Sequence, residues 1–201
     1  MQLYQNPASP YVRKVLVVLH ETGQLDSVDM IASGGSVVDT SKMPLAENPL
    51  GKIPTLVRDD GPALYDSRVI CRYFDTLAGA GLYPDSRLWE VLTLESTADG
   101  ILDAAILMVY EARIRPLELH YAPWIEGQWA KVTRSLDALE SRWMGHLAGP
   151  LDMGQIAVGC ALGYIDFRHG ARDWRGERPA LAEWFAEFSK RPSMEATVPV
   201  G

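Results

Sequence analysis

The residues best suited to chemistry fall at three places in the first 70 positions, each where an extended pattern meets a turn or a helix. The first is Ser9-Pro10-Tyr11-Val12-Arg13-Lys14. Pro10 suits the first position of a helix and Ser9 its N-cap. Such a hydroxyl can serve only as a cap. It can also face an anionic atom brought to the helix N-terminus, where the dipole favours negative charge. The second is Asn48-Pro49-Leu50-Gly51-Lys52-Ile53-Pro54, a rigid turn entering a strand. A proline there suits a cis peptide, which would turn the Ile53 N–H and C=O outward to pair with an extended peptide ligand as a short antiparallel strand. A purely structural turn accounts for the glycine and prolines but leaves Lys52 without a role. The third is Asp66-Ser67 at a second helix start, a common capping pair that also offers a carboxylate and a hydroxyl. If the three junctions open toward one side of a small sheet, they suit a ligand carrying both carboxylates and an amine.

The elements that must position these groups change character near residue 80. Before it, strands are expected at residues 2–4 and 27–31, with a helix at 11–21 between them. After the irregular stretch 32–48, residues 54–58 and 63–65 flank Asp59-Asp60-Gly61 as a hairpin, and a helix follows at 67–78. Two parallel strands and a hairpin then form one sheet with a right-handed crossover. Residues 79–84 form a breaker cluster and read as a linker. Beyond it the pattern is helical throughout, at 88–114, 124–143, 156–167 and 181–188. The third of these helices has an explicit start, with Asp152 and Gln155 as a capping box and Leu151 and Ile156 as a hydrophobic staple. Its near-continuous apolar run implies burial on all sides.

Composition narrows the function. Nineteen Lys and Arg against 26 Asp and Glu leave a net charge of −7, so no broad basic surface is available for nucleic acid. The longest apolar stretch, residues 156–165, is far shorter than the ~20 residues of a membrane span, and the N-terminus lacks a secretory pattern, so a cytoplasmic, soluble protein is expected. Cys71 and Cys160 sit singly in apolar helical patterns, and the four histidines show no metal-ligand spacing, so neither a disulfide framework nor a metal site is expected.

Taken in order, the Ser9, Asn48–Pro54 and Asp66 segments, then Ala98-Asp99-Gly100-Ile101-Leu102-Asp103 and the capped Asp152 helix, resemble a bacterial glutathione S-transferase. Within that family the chain is most similar to the serine-type, YibF-like subgroup. The resemblance implies a thioredoxin-like α/β domain at residues 1–78, a linker at 79–84 and an all-α domain at 85–201. It also implies a homodimer, in which the 66–78 helix of one subunit meets the 88–114 helix of the other. Glutathione would be the co-substrate and no metal is implied.

By the same resemblance, Ser9 would hydrogen-bond the glutathione sulfur and the Ile53 backbone would pair with the cysteinyl part. Lys52 would meet the glycyl carboxylate, and Asp66 with Ser67 the γ-glutamyl end. Asp99 would reach the γ-glutamyl group of the neighbouring subunit. Tyr4 is a rival for thiol activation, since some relatives use a tyrosine at the end of the first strand. The second substrate, a small hydrophobic electrophile, is expected near Leu107, Met108, Tyr110, Glu111 and Arg113, although Leu and Met at helical spacing also suit a core. Ser9 and Val12 stand where thioredoxin-like redox proteins carry C-x-x-C, which excludes dithiol exchange at this site and disfavours the cysteine-type transferases. A protein-interaction or regulatory module without catalysis is the alternative reading of the same fold.

Overall fold

In the computed structural model, which describes residues Met1–Gly201, the chain forms two compact units. The first comprises Met1–Ser86 together with Pro192–Gly201, and the second Arg87–Arg191. The sequence reading assigned the last ten residues to the helical half, and the structure returns them to the first unit.

The first unit begins with strand β1 (Gln2–Gln5), helix α1 (Pro10–Glu21), strand β2 (Asp29–Ala32), strand β3 (Thr55–Val57) and helix α2 (Ser67–Ala78). The strands form one sheet in the order β2-β1-β3, with β1 parallel to β2 and antiparallel to β3. Leu3 and Leu56 face each other across the β1–β3 ladder and are fully buried. Val12, Val15, Val17, Val18 and Leu19 bury the inner face of α1, whose branched residues are accepted because packing outweighs intrinsic propensity.

Two expected strands differ from the structure. The second begins later, at Asp29, because Leu25–Ser27 forms a 3-10 turn. The strand expected at residues 63–65 is reduced to one bridge, in which Leu56 and Leu64 exchange backbone hydrogen bonds of 2.9 and 2.8 Å. Pro62 brings no N–H to a ladder, and its carbonyl is already taken by Arg58 Nε at 3.0 Å, so pairing stops there. At the other end of α2, Gly79 takes a left-handed φ of 60° as the C-cap, a conformation natural only to glycine.

The second unit contains helices α3 (Leu88–Ile114), α4 (Ala122–Ala138), α5 (Met144–Leu147), α6 (Met153–His169) and α7 (Pro179–Phe188). The helix expected over 124–143 is α4 followed by a widened π turn, Leu139–Trp143. That turn carries Glu140, whose carboxylate accepts the N–H groups of Ala180 at 3.1 Å and Leu181 at 2.7 Å and so caps α7. Helix α6 is buried without interruption from Met153 to Leu162, as its unbroken apolar run implies. It lies tight against α3: a Cβ at Gly154 would stand 2.9 Å from that of Leu94. The capping box is present, with the Asp152 side chain accepting from the Gln155 N–H and the Gln155 side chain accepting from the Asp152 N–H. No helix is long and apolar enough to cross a membrane.

Helix α8 (Pro192–Glu195) and the residues after it belong to the first unit because α1 holds them. The buried Arg13 guanidinium donates to the Met194 carbonyl at 3.0 Å and to Thr197 Oγ1 at 3.4 Å, while Ser193 Oγ donates to the Glu21 carboxylate.

Candidate functional site

Sheet register brings the three junctions of the first unit to one edge. Tyr4 of β1 lies opposite Thr55 of β3, so the turn that ends at Ile53 adjoins the end of β1 from which the Ser9 loop departs. Beyond β3, Leu64 pairs antiparallel with Leu56, so Asp66, two residues after Leu64, reaches the level of Pro54, two residues before Leu56. A shift of one residue in either pairing would reverse the faces and separate these groups.

Ser9 is the N-cap of α1. Its Oγ accepts the Val12 N–H at 3.3 Å, and its hydroxyl proton has no acceptor within the chain. The first turn of α1 holds no acidic residue, so nothing there opposes a negative charge drawn to the helix N-terminus. Asn6 fixes the loop. Its Oδ1 accepts the Ala8 N–H at 2.9 Å, its carbonyl accepts the Ser9 N–H at 3.0 Å, and its Nδ2 donates to the Ser33 carbonyl at 3.2 Å. The sequence reading passed over Asn6, although an Asn before a proline turn is a local signal for such a brace.

The Ile53–Pro54 peptide is cis, and so is Tyr65–Asp66. The Ile53 N–H and C=O make no hydrogen bond within the chain, whereas the neighbouring Lys52 carbonyl is fully engaged. It accepts from Asn48 Nδ2 at 3.0 Å and from Thr55 Oγ1 at 2.9 Å. The buried Asn48 also accepts the Leu50 N–H, so this one amide organises the whole turn, and Gly51 supplies the left-handed φ of 58° that the turn requires. The Lys52 side chain is exposed and forms no ion pair within the chain.

Asp66 caps α2 by accepting the Arg68 N–H at 3.0 Å and pairs with the Arg68 guanidinium at 2.9 Å. Partial burial alone would raise its pKa. The hydrogen bond and charge of Arg68, its backbone N–H and the charge of Lys14 outweigh burial and hold the carboxyl below its ordinary value. Ser67, beside it, is buried. Arg13 and Lys14, the two basic residues of the first segment, are both buried, and Arg13 holds the C-terminal segment.

The remaining candidates lie elsewhere. Tyr4 is half-buried in the middle of β1. Asp99, Leu107, Met108, Tyr110, Glu111 and Arg113 all belong to α3 in the second unit. Met108 is buried among core residues. Glu111 accepts from Arg115 Nε at 2.8 Å and from the Tyr121 N–H at 3.0 Å, which makes it a brace for the chain leaving α3. Tyr110 and Arg113 sit by Tyr164 of α6, whose phenol is pushed up by burial and by Tyr110, against the opposing pull of Arg168 and Arg113. No cluster of His, Cys, Asp and Glu suited to a metal ion occurs.

A small mixed sheet with a cis proline before its third strand, a serine capping its first helix and an all-helical second unit define a glutathione transferase architecture. The family model for the glutathione S-transferase N-terminal domain matches residues 8–77, and that for the C-terminal domain matches residues 122–187. The "Uncharacterized GST-like protein YibF" of Escherichia coli K12 is 33% identical, with 99% of this chain and 98% of that protein covered. A solved glutathione transferase family member from Pseudomonas fluorescens Pf-5, with bound glutathione, is 49% identical over 100% of this chain and 99% of its own, with a TM-score of 0.95. A second solved structure of a glutathione transferase family member from Pseudomonas fluorescens Pf-5, with bound S-(propanoic acid)-glutathione, is 49% identical over 100% of both chains, with a TM-score of 0.91. The chain belongs to the glutathione S-transferase family.

Proposed function

We propose that the first unit binds glutathione at the shared sheet edge, that Ser9 activates its thiol, and that the thiolate is conjugated to a small hydrophobic electrophile. The observation that carries this reading is the Ser9 hydroxyl, held at the α1 N-terminus by its bond from Val12 with its proton unclaimed, on the same edge as the unpaired Ile53 backbone. Bound glutathione in a relative of 49% identity supports the ligand. Ile53 would pair with the cysteinyl residue, Lys52 would meet the glycyl carboxylate, and Asp66 with Ser67 would grip the γ-glutamyl group. Asp66 can accept a further hydrogen bond because a carboxylate offers about four lone-pair sites.

A thiol of pKa near 8.5 is only a few per cent ionised at neutral pH. Lowering that value by roughly two units requires about 2.7 kcal/mol, within reach of one hydroxyl donor and a helix dipole. In the reaction the thiolate sulfur forms the new S–C bond, the leaving group departs with its bonding electron pair, and the thiol proton passes to solvent.

Glutathione at millimolar concentration should raise the melting temperature, because a ligand that binds only the folded chain stabilises it by mass action. Asp66→Ala should weaken that binding with little change in the bound thiol's pKa, since it meets the far end of the tripeptide. It should also cost about 1 kcal/mol in stability through loss of the α2 cap. Calorimetric titration of both proteins checks this. No heat and no melting shift for the wild type would favour the interaction-module reading.

The family resemblance also motivates a cytoplasmic homodimer built on α2 of one subunit and α3 of the other, with Asp99 reaching the neighbouring site. The exposure of Val69 (47%) and Leu77 (54%) on α2 and of Trp89 (76%) on α3 supports it, since large apolar side chains left in water favour association. Light scattering should give twice the 22.2 kDa chain mass at micromolar concentration. A monomer would remove both the interface and the role of Asp99.

A further inference from the structure

The Ser9 loop leaves β1 through Asn6, and the hydrogen bonds that tie residues 7–9 back to the sheet end on that residue. The Asn6 main-chain carbonyl accepts the Ser9 N–H at 3.0 Å, and its Oδ1 accepts the Ala8 N–H at 2.9 Å. Pro7 has no N–H to contribute. The other end of the same amide, Nδ2, donates to the Ser33 carbonyl at 3.2 Å. Ser33 is buried just beyond β2 and is itself fixed: its N–H donates to the Gln5 carbonyl at 2.9 Å and its Oγ to the Lys42 carbonyl at 2.8 Å. One side chain thus clamps the loop to the ends of two parallel strands.

The core of the unit is built elsewhere. Asn6 is half-buried past the end of β1, while Leu3, Leu56 and the inner valines of α1 are fully buried without touching its amide bonds. What the clamp controls is the place of Ser9. The Ser9 backbone is extended, with φ −84° and ψ 119°, and its Oγ stands 3.3 Å from the Val12 nitrogen, beyond the ordinary range for such a bond. The end of α1 alone therefore holds the hydroxyl weakly. Where its proton points depends on the loop, and a hydrogen bond weakens steeply as it leaves the line between donor and acceptor. Resting on the reading above, in which that proton meets the glutathione sulfur, we propose that Asn6 is a positioning residue for thiol activation, its amide holding the Ser9 hydroxyl on line with the sulfur. It acts through Ser9 and not on the thiol itself.

The test follows the ultraviolet absorbance of bound glutathione thiolate against pH, with the melting temperature of each variant alongside. Asn6→Ala should raise the bound thiol pKa by about half to one unit, the equivalent of one ordinary hydrogen bond, and slow conjugation at neutral pH by roughly three- to tenfold. In a Ser9→Ala background the same change should leave the thiol pKa where Ser9→Ala alone puts it, because two residues that act through one bond are not additive. The melting temperature should fall in both backgrounds. A merely structural role for Asn6 would give that fall without any pKa shift. Asn6→Ser, which can keep the Ala8 bond but does not reach Ser33, should move the pKa in the same direction by less, and carries the test if Asn6→Ala does not fold. A thiol pKa raised by Ser9→Ala but untouched by either Asn6 variant overturns the proposal. So does an equal Asn6→Ala shift with and without Ser9, which would place the effect on the thiol directly. If Ser9→Ala itself leaves the pKa unchanged, or the wild type binds no glutathione, the underlying reading falls and the proposal with it.

Discussion

Ser9→Ala is expected to raise the pKa of the bound glutathione thiol by about one to two units, because losing a hydrogen bond to a charged atom costs about 1.5–3 kcal/mol. Conjugation of a chlorinated nitrobenzene at neutral pH should fall roughly ten- to a hundred-fold and recover as pH rises. Glutathione affinity should change far less, since Lys52, Ile53, Asp66 and Ser67 hold the rest of the tripeptide. Ser9 also caps α1, so the variant carries a second effect, about 1 kcal/mol of helix stability. Ser9→Gly separates the two. Glycine costs only a few tenths of a kcal/mol as an N-cap but lacks the hydroxyl, so both variants should show the same thiol pKa and different melting temperatures. The ultraviolet absorbance of the bound thiolate against pH measures the first quantity directly. An unchanged pKa in both variants would pass the activating role to Tyr4 or to backbone amides.

Asp152→Ala is expected to remove about 3–5 kcal/mol from the second unit, the usual cost of breaking a buried ion pair by deleting one partner. Asp152 is fully buried and serves three purposes at once. It caps α6 through Gln155, pairs with Arg87 Nε at 3.2 Å, and hydrogen-bonds His146 Nε2 at 2.8 Å. Gln155 in turn donates to the carbonyls of Leu147 at 3.1 Å and Gly149 at 3.0 Å, so the box also secures the turn before α6. Asp152→Asn keeps a good N-cap and removes the charge, and should recover part of the loss. All six tryptophans lie between residues 87 and 191, so their fluorescence reports unfolding of this unit alone. A loss under about 1 kcal/mol for the alanine variant would show that the box is a local cap and no more.

The expected bounds of α2 and α3, 67–78 and 88–114, match the structure because the signals are local: Asp66 and Gly79 cap α2, and Pro116 stops α3, whose start carries no side-chain cap. The capping box of α6 is local in the same sense: two side chains three residues apart satisfy each other's backbone whatever surrounds them. The cis proline was legible too, since the two prolines and the glycine that shape the turn lie within seven residues. Glu111 and Met108 were not. A Glu and a Met on a long helix suit a binding surface as well as a core, and their contacts with Arg115, Tyr121 and the interior decide the matter.

What the sequence determined by itself is the chemistry on offer: a capping serine, a lysine beside a cis-proline turn, and a carboxylate with a hydroxyl at a second helix start. Only tertiary structure decided that these share one edge, since that depends on the β1–β3 register and on the single Leu56–Leu64 bridge. It likewise decided that residues 192–201 return to α1. The bonds that hold them join Arg13 to Met194 and Thr197 across 181 and 184 positions. A contact between residues so far apart leaves no period, spacing or cap in the chain, because hydrophobic pattern records which side of a helix is buried and never what buries it.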